Sequence, residues 1–209
     1  MNHFAHLVLS QPTVESAVGN LLGDFARGVD TLSLPAPVRA GLDNHRAVDR
    51  FTDNHPLVQE MKRGFSPRRR RFAGIALDIY FDSQMKRHWD RFEQSCQDEL
   101  ISDFYARLAV GQAFMPGSDM RRVTQRMIDY DWFRSYRNID AIAESLDRVA
   151  ARIRFANDCG NAIEDLQRQH GEINDAFLEF YPQLQAQVAE LALESRPVPG
   201  GAVERQGSG

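Results

Sequence analysis

No apolar run in the sequence exceeds a few residues, so neither a membrane-spanning helix nor the hydrophobic stretch of a secretory leader can be drawn from it. The expectation is a cytoplasmic protein without a membrane partner. Cysteine is equally sparse. Cys96 and Cys159 stand far apart with no C-x-x-C spacing, which argues against a disulfide framework or a zinc–thiolate cluster and leaves ordinary thiols. Strand-type alternation is scarce, and no G-x-x-x-x-G-K-[ST], G-x-G-x-x-G, G-x-S-x-G or H-E-x-x-H occurs, so the usual nucleotide-loop, hydrolase-elbow and zincin readings fall away. Positive charge is in deficit as well: 25 Lys and Arg stand against 29 Asp and Glu, a net charge of -4 that disfavours nucleic acid as a partner.

What the chain does have is helical periodicity. With 209 residues, 43% of them hydrophobic, it is long enough for one well-cored domain. In "ELISDFYARL" the residues Leu100, Ile101, Phe104, Tyr105 and Leu108 fall on one helix face, and Ile139, Ile142, Leu146, Val149 and Ile153 do the same further on. Ile163, Leu166, His170, Ile173, Phe177 and Leu184 form a late seam, in which His170 reads as a packed core residue. Prolines 12, 35, 56, 67 and 116 open helical stretches, while Gly28, Gly64 and Gly160 punctuate their ends. The pattern predicts helices near 13–27, 36–53, 56–64, 68–90, 97–113, 118–131, 138–156 and 161–193 after a short N-terminal segment. The expected architecture is a single all-α domain over 1–195 with a flexible tail at 196–209, where apolar periodicity stops.

Several of these helices carry polar groups among their apolar residues. Asp24 sits in "GNLLGDFARG", where a bare carboxylate beside leucines and a phenylalanine is costly without a positive partner. In "GLDNHRAVDRFTDNH" the residues His45, Asp49 and Asp53 recur at i, i+4 and i+8 along one side of a helix, and Asp78 and Asp82 repeat the i, i+4 spacing in "IALDIYFDSQ". His3 and His6 stand three apart near the start. Imidazole together with carboxylates from separate helices is the ligand set of a hard or borderline divalent ion such as manganese, magnesium or iron, and such an ion suits phosphoester hydrolysis. The plainer alternative takes each residue singly, with Asp24 paired to Arg27, Asp49 to Arg46 or Arg50, and His45 as a satisfied core histidine. His88 and His55 read as capping or exposed residues. One local charge run departs from the acidic whole: "KRGFSPRRRR", residues 62 to 71, holds six cations and no acid.

Five segments in order, "NHFAHLVLS", "GNLLGDFARG", "GLDNHRAVDRFTDNHP", "ALDIYFDSQMKRHW" and "FLEFYP", resemble the acyl-carrier-protein phosphodiesterase family over residues 1 to 182. The resemblance implies a helical fold related to the HD-domain phosphohydrolases and a manganese-dependent reaction that removes the 4'-phosphopantetheine arm from holo acyl carrier protein. This chain has no His-Asp dipeptide, the pair for which HD enzymes are named, so their ligands do not transfer by motif. Matching segments make Asp24, His45 and Asp78 the expected metal ligands. His6, Asp49 and Asp82 are expected as further ligands, orienters or bases. Because carrier proteins are acidic, Lys62, Arg63, Arg68, Arg69, Arg70 and Arg71 are expected to dock the partner. A nucleotide-directed phosphohydrolase and a non-catalytic module gripping an acidic protein are the rival readings.

Overall fold

The structure is a computed structural model that describes residues 1–135 and 139–194. The tail expected at 196–209 lies outside the described residues, as do residues 136–138 within the helix expected at 138–156. Among the described residues every regular element is helical: α1 (His3–Val8), α2 (Val14–Leu22), α3 (Ala36–Asn54), α4 (Pro56–Arg63), α5 (Ala73–Arg87), α6 (Trp89–Phe92), α7 (Gln97–Gly111), α8 (Ser118–Asp129), α9 (Trp132–Ser135), α10 (Ile139–Ala150), α11 (Ala162–Arg168) and α12 (His170–Leu191). None of them is long and apolar enough to cross a membrane.

Local chemistry sets the boundaries that matter for the site. Thr13 caps α2 by accepting from the Ser16 amide at 3.2 Å. The helix then tightens into a 3-10 turn at Gly23–Phe25, which carries Asp24. Helix α3 ends at Asn54 because His55 precedes Pro56 and is held extended, with ψ 131°. Helices α2 and α3 cross at small residues: a Cβ on Gly19 would run into the Val38 carbonyl and lie 2.8 Å from the Gly41 Cα. Only glycine at this crossing lets the two backbones approach so closely, and the approach aligns Asn20 with His45.

Helix α5 runs through the centre, touching α1, α10, α11 and α12. Around it, Phe4 meets Trp89, Phe104 and Phe133, while Phe81 meets Phe177 and Phe180 on α12. Phe4, Phe81, Phe104, Phe133, Phe177 and Phe180 are fully buried, and burial of each such ring contributes about 1.5–3 kcal/mol.

The expected helix over 161–193 is broken at Gln169, whose side chain is buried against Gly64. The break separates α11 from α12 and leaves His170 exposed, contrary to its expected place in the core seam. His55, expected as a capping or exposed residue, stands at the N-cap of α4 without a side-chain capping bond and is buried against Phe51 and Phe180.

Candidate metal centre and adjoining cavity

Four elements converge on one place: α1 supplies His3 and His6, the 3-10 turn after α2 supplies Asp24, α3 supplies His45 and Asp49, and α5 supplies Asp78. The innermost group is His6, His45 and Asp49, whose ligand atoms all lie within 4.8 Å of one another. The two imidazoles stack with centroids 3.8 Å apart, and Asp49 reaches both, Oδ1 standing 3.1 Å from His6 Nε2 and Oδ2 3.1 Å from His45 Nε2.

The backbone fixes the orientation of His45. Its Nδ1 lies 2.7 Å from the Asn20 carbonyl, which only accepts, so Nδ1 carries the proton. In the neutral ring the Nε2 lone pair then faces the Asp49 carboxylate, an arrangement that is repulsive unless a cation shares both. Gly23 makes room for this ring, since a Cβ there would collide with it. His6 is buried, its Nδ1 has no hydrogen-bond partner, and its Nε2 meets only Asp49. Burial pushes its pKa down to about 4, so it is neutral at pH 7 with a lone pair to offer. Two imidazoles that both turn Nε2 toward one carboxylate, one ring oriented by a backbone carbonyl, fit a divalent cation.

The remaining acids surround that group. Asp78 lies 2.9 Å and Asp49 3.3 Å from the Met1 ammonium, so a positive charge already bridges the two carboxylates. Burial disfavours the charged amine, but Asp78 and Asp49 outweigh it and raise its pKa to about 10. Burial raises the Asp78 pKa despite that ammonium, whereas the His45 and His6 contacts hold Asp49 well down against burial. Asp24 stands 2.8 Å from His3 Nδ1. Burial favours a neutral Asp24, yet the neighbouring imidazoles overcome this and bring its pKa to about 2. In return Asp24 raises the His3 pKa against the effect of burial. The partners of Asp24 and Asp49 are thus histidines and the ammonium, not Arg27, Arg46 or Arg50.

Asp82 plays a different part. It is fully buried and accepts from the amides of Phe4 at 3.2 Å and Ala5 at 3.1 Å, anchoring the first turn of α1 and so fixing where His3 and His6 project. Asp53, on the same helix side as His45 and Asp49 in sequence, lies outside the group and pairs with Lys62 at 2.8 Å.

A cavity of about 320 Å³ opens beside the cluster. Met1, His3, Asp24 and Asp78 border it on one side, and Ile79, Val123 and Trp132 give it apolar wall. The basic run ends one turn before Ile75, another lining residue. Within the run, Arg63 pairs with Glu60 at 2.6 Å, Arg70 donates to the Phe65 carbonyl, and Arg71 lies over the Phe72 and Phe155 rings. Arg68 is exposed. Arg69 turns inward, its Nε 2.7 Å from the buried Asp165 and its Nη1 2.8 Å from Glu164, so it is committed to the fold and not presented to a partner.

Comparison with known proteins gives one family model, described as acyl carrier protein phosphodiesterase, matching residues 1–184. The chain belongs to the acyl carrier protein phosphodiesterase family. Relatives named acyl carrier protein phosphodiesterase occur in Escherichia coli O157:H7 (strain EC4115 / EHEC) and Escherichia coli (strain K12 / DH10B), each 34% identical over 197 residues, covering 92% of this chain and 100% of the relative. No solved structure matches the chain. The family resemblance and all-helical fold expected from sequence both hold. Sequence alone did not single out Asn20, whose contribution is a backbone carbonyl, or Gly23, whose contribution is space.

Proposed function

We propose that this protein hydrolyses the phosphodiester that joins 4'-phosphopantetheine to a serine of holo acyl carrier protein, leaving the apo carrier, and that it does so with a divalent ion, manganese first and magnesium or iron as substitutes. The observation that carries this reading is the His6–His45–Asp49 group, whose neighbours His3, Asp24 and Asp78 border a cavity, in a chain of this family. These three residues would hold the ion, with Asp24 and Asp78 at its border. Bound there, it would supply Lewis acidity, acidifying water and polarising a phosphoryl oxygen.

The chain's own groups do the rest. Asp49 orients both imidazoles, and the Asn20 carbonyl keeps the His45 lone pair on Nε2. His3 is placed to protonate the departing serine oxygen: it borders the cavity, and Asp24 beside it favours its protonated form. Asp82 serves by holding α1 in position. Lys62, Arg63, Arg68, Arg70 and Arg71 offer an acidic carrier a basic approach near the cavity mouth, with Arg69 bracing that segment from within.

The test is incubation of the purified protein and manganese with holo carrier protein, followed by mass spectrometry of the carrier. The expected result is loss of the arm, abolished by chelation and by His45→Ala. An intact carrier under conditions where the wild-type protein binds manganese refutes the assignment.

A further inference from the structure

Across the cavity from the acids, α10 and the turn after it contribute "SLDRVAAR", in which Ser145, Arg148, Val149 and Arg152 recur at i, i+3, i+4 and i+7. All four line the cavity that Asp24 and Asp78 border. Ser145 is buried at the foot of this wall and Ile142 and Leu146 beside it pack into the core, while Arg148 and Arg152 stay exposed. A stripe with arginines at both i+3 and i+7 thus faces the acids across open space.

Neither arginine holds the core together as Arg69 does. Arg148 is half exposed. Its Nη2 donates to Ser145 Oγ at 2.7 Å, and that hydroxyl donates in turn to the Ala141 carbonyl at 2.8 Å. Its Nη1 stands 3.6 Å from Glu144. These contacts steady the guanidinium and leave further N–H groups for a ligand. Arg152 is exposed on the same wall.

Two guanidiniums on one side of a small cavity and a carboxylate–imidazole cluster on the other make a site for an anion that can also bind a cation. A phosphodiester has two non-bridging oxygens. One can face the metal group while the other accepts from a guanidinium, whose planar fork matches a phosphate edge. The apolar wall of Ile79, Val123 and Trp132 beside it suits the methyl and methylene groups of a pantetheine arm.

We infer that Arg148 and Arg152 form the phosphate-binding wall of the cavity, gripping the phosphoryl group of the 4'-phosphopantetheine arm opposite His3, Asp24 and Asp78. This rests on the hydrolase reading above, and it extends to the product, because the released arm keeps its phosphate.

The test compares calorimetric titrations of 4'-phosphopantetheine and of pantetheine, which lacks the phosphate, into manganese-loaded wild type, Arg148→Gln, Arg152→Gln and the double variant. Each substitution is expected to weaken 4'-phosphopantetheine binding about tenfold or more, as loss of a charge-assisted hydrogen bond does. Binding of pantetheine and of manganese should stay within about twofold, and circular dichroism should be unchanged. Equal 4'-phosphopantetheine affinity in wild type and double variant overturns the inference, as does parallel weakening of both ligands or the absence of wild-type binding. Failure of the hydrolase reading shows separately, as an uncleaved holo carrier, while a phosphate-selective loss in the double variant would still support the arginine wall.

Discussion

Replacing Asp82 by Asn separates an anchoring role from a catalytic one. The wild-type carboxylate is fully buried and receives two backbone amides of α1, but burial outweighs those bonds and the nearby Lys86, raising its pKa from 3.8 to about 6. A raised carboxyl pKa means the folded state binds more protons than the unfolded chain, so this group's contribution to stability declines as pH rises from about 4 through 6. The whole difference is worth about 3 kcal/mol, of which about 2 kcal/mol is lost between pH 4.5 and pH 8. Asparagine keeps the shape and cannot ionise, but its amide turns a donor toward one of the two N–H groups, at a cost of about 1–3 kcal/mol at any pH. Asp82→Asn is therefore expected to be less stable than wild type at pH 4.5 and to approach or pass it at pH 8. Urea unfolding of metal-free protein at a series of pH values, with unchanged m-values, reads this directly. A stability gap that does not vary with pH would refute the electrostatic reasoning. A thousandfold loss of turnover with unchanged fold and manganese affinity would refute the anchoring role.

Other outcomes follow from the same geometry. His6→Ala or His45→Ala should abolish stoichiometric manganese binding by equilibrium dialysis, while Asp53→Ala, outside the group, should leave it intact. Gly23→Ala pushes a methyl group against the His45 ring and should lower manganese affinity about tenfold to a hundredfold, with less effect on chemical denaturation. Arg69→Ala removes one of the two arginines that pair with the buried Asp165, leaving Arg168 and the Ser66 donors, and should cost about 1–3 kcal/mol in unfolding experiments, whereas Arg68→Ala should stay within about 0.5 kcal/mol yet raise the KM for holo carrier protein. Glu194→Ala removes the acceptor shared by Ser16 Oγ, Asn20 Nδ2 and the Gln11 amide, and should destabilise the fold by about 1–3 kcal/mol.

The helical class was legible because amphipathic periods are local, and His45 with Asp49 was legible because one helical turn separates them. Contacts that depend on the distant chain were not. Arg69 belongs to a run that reads as a docking surface for an acidic partner, and only the fold brings Asp165 against it from 96 positions away. Asp82 looks like a twin of Asp78 by spacing, but 77 and 78 residues separate it from the amides it caps, so its role appears only when α1 is seen against α5. His170 joined a continuous seam on paper. The break at Gln169 rotates it outward, and no proline or glycine at that position announces the break. The Asn20 carbonyl carries no side-chain signature at all.

Two of the three imidazoles at the centre ride on a helix of six residues, a length that cannot sustain itself in water. Their positions are borrowed from elsewhere: from the Phe4 ring wedged into the aromatic core and from the buried carboxylate on α5. The centre is therefore complete only when both ends of the molecule's first eighty or so residues have come together. A bound ion would act back on the same segment, as a clasp that closes the opening helix onto the body and slows its detachment.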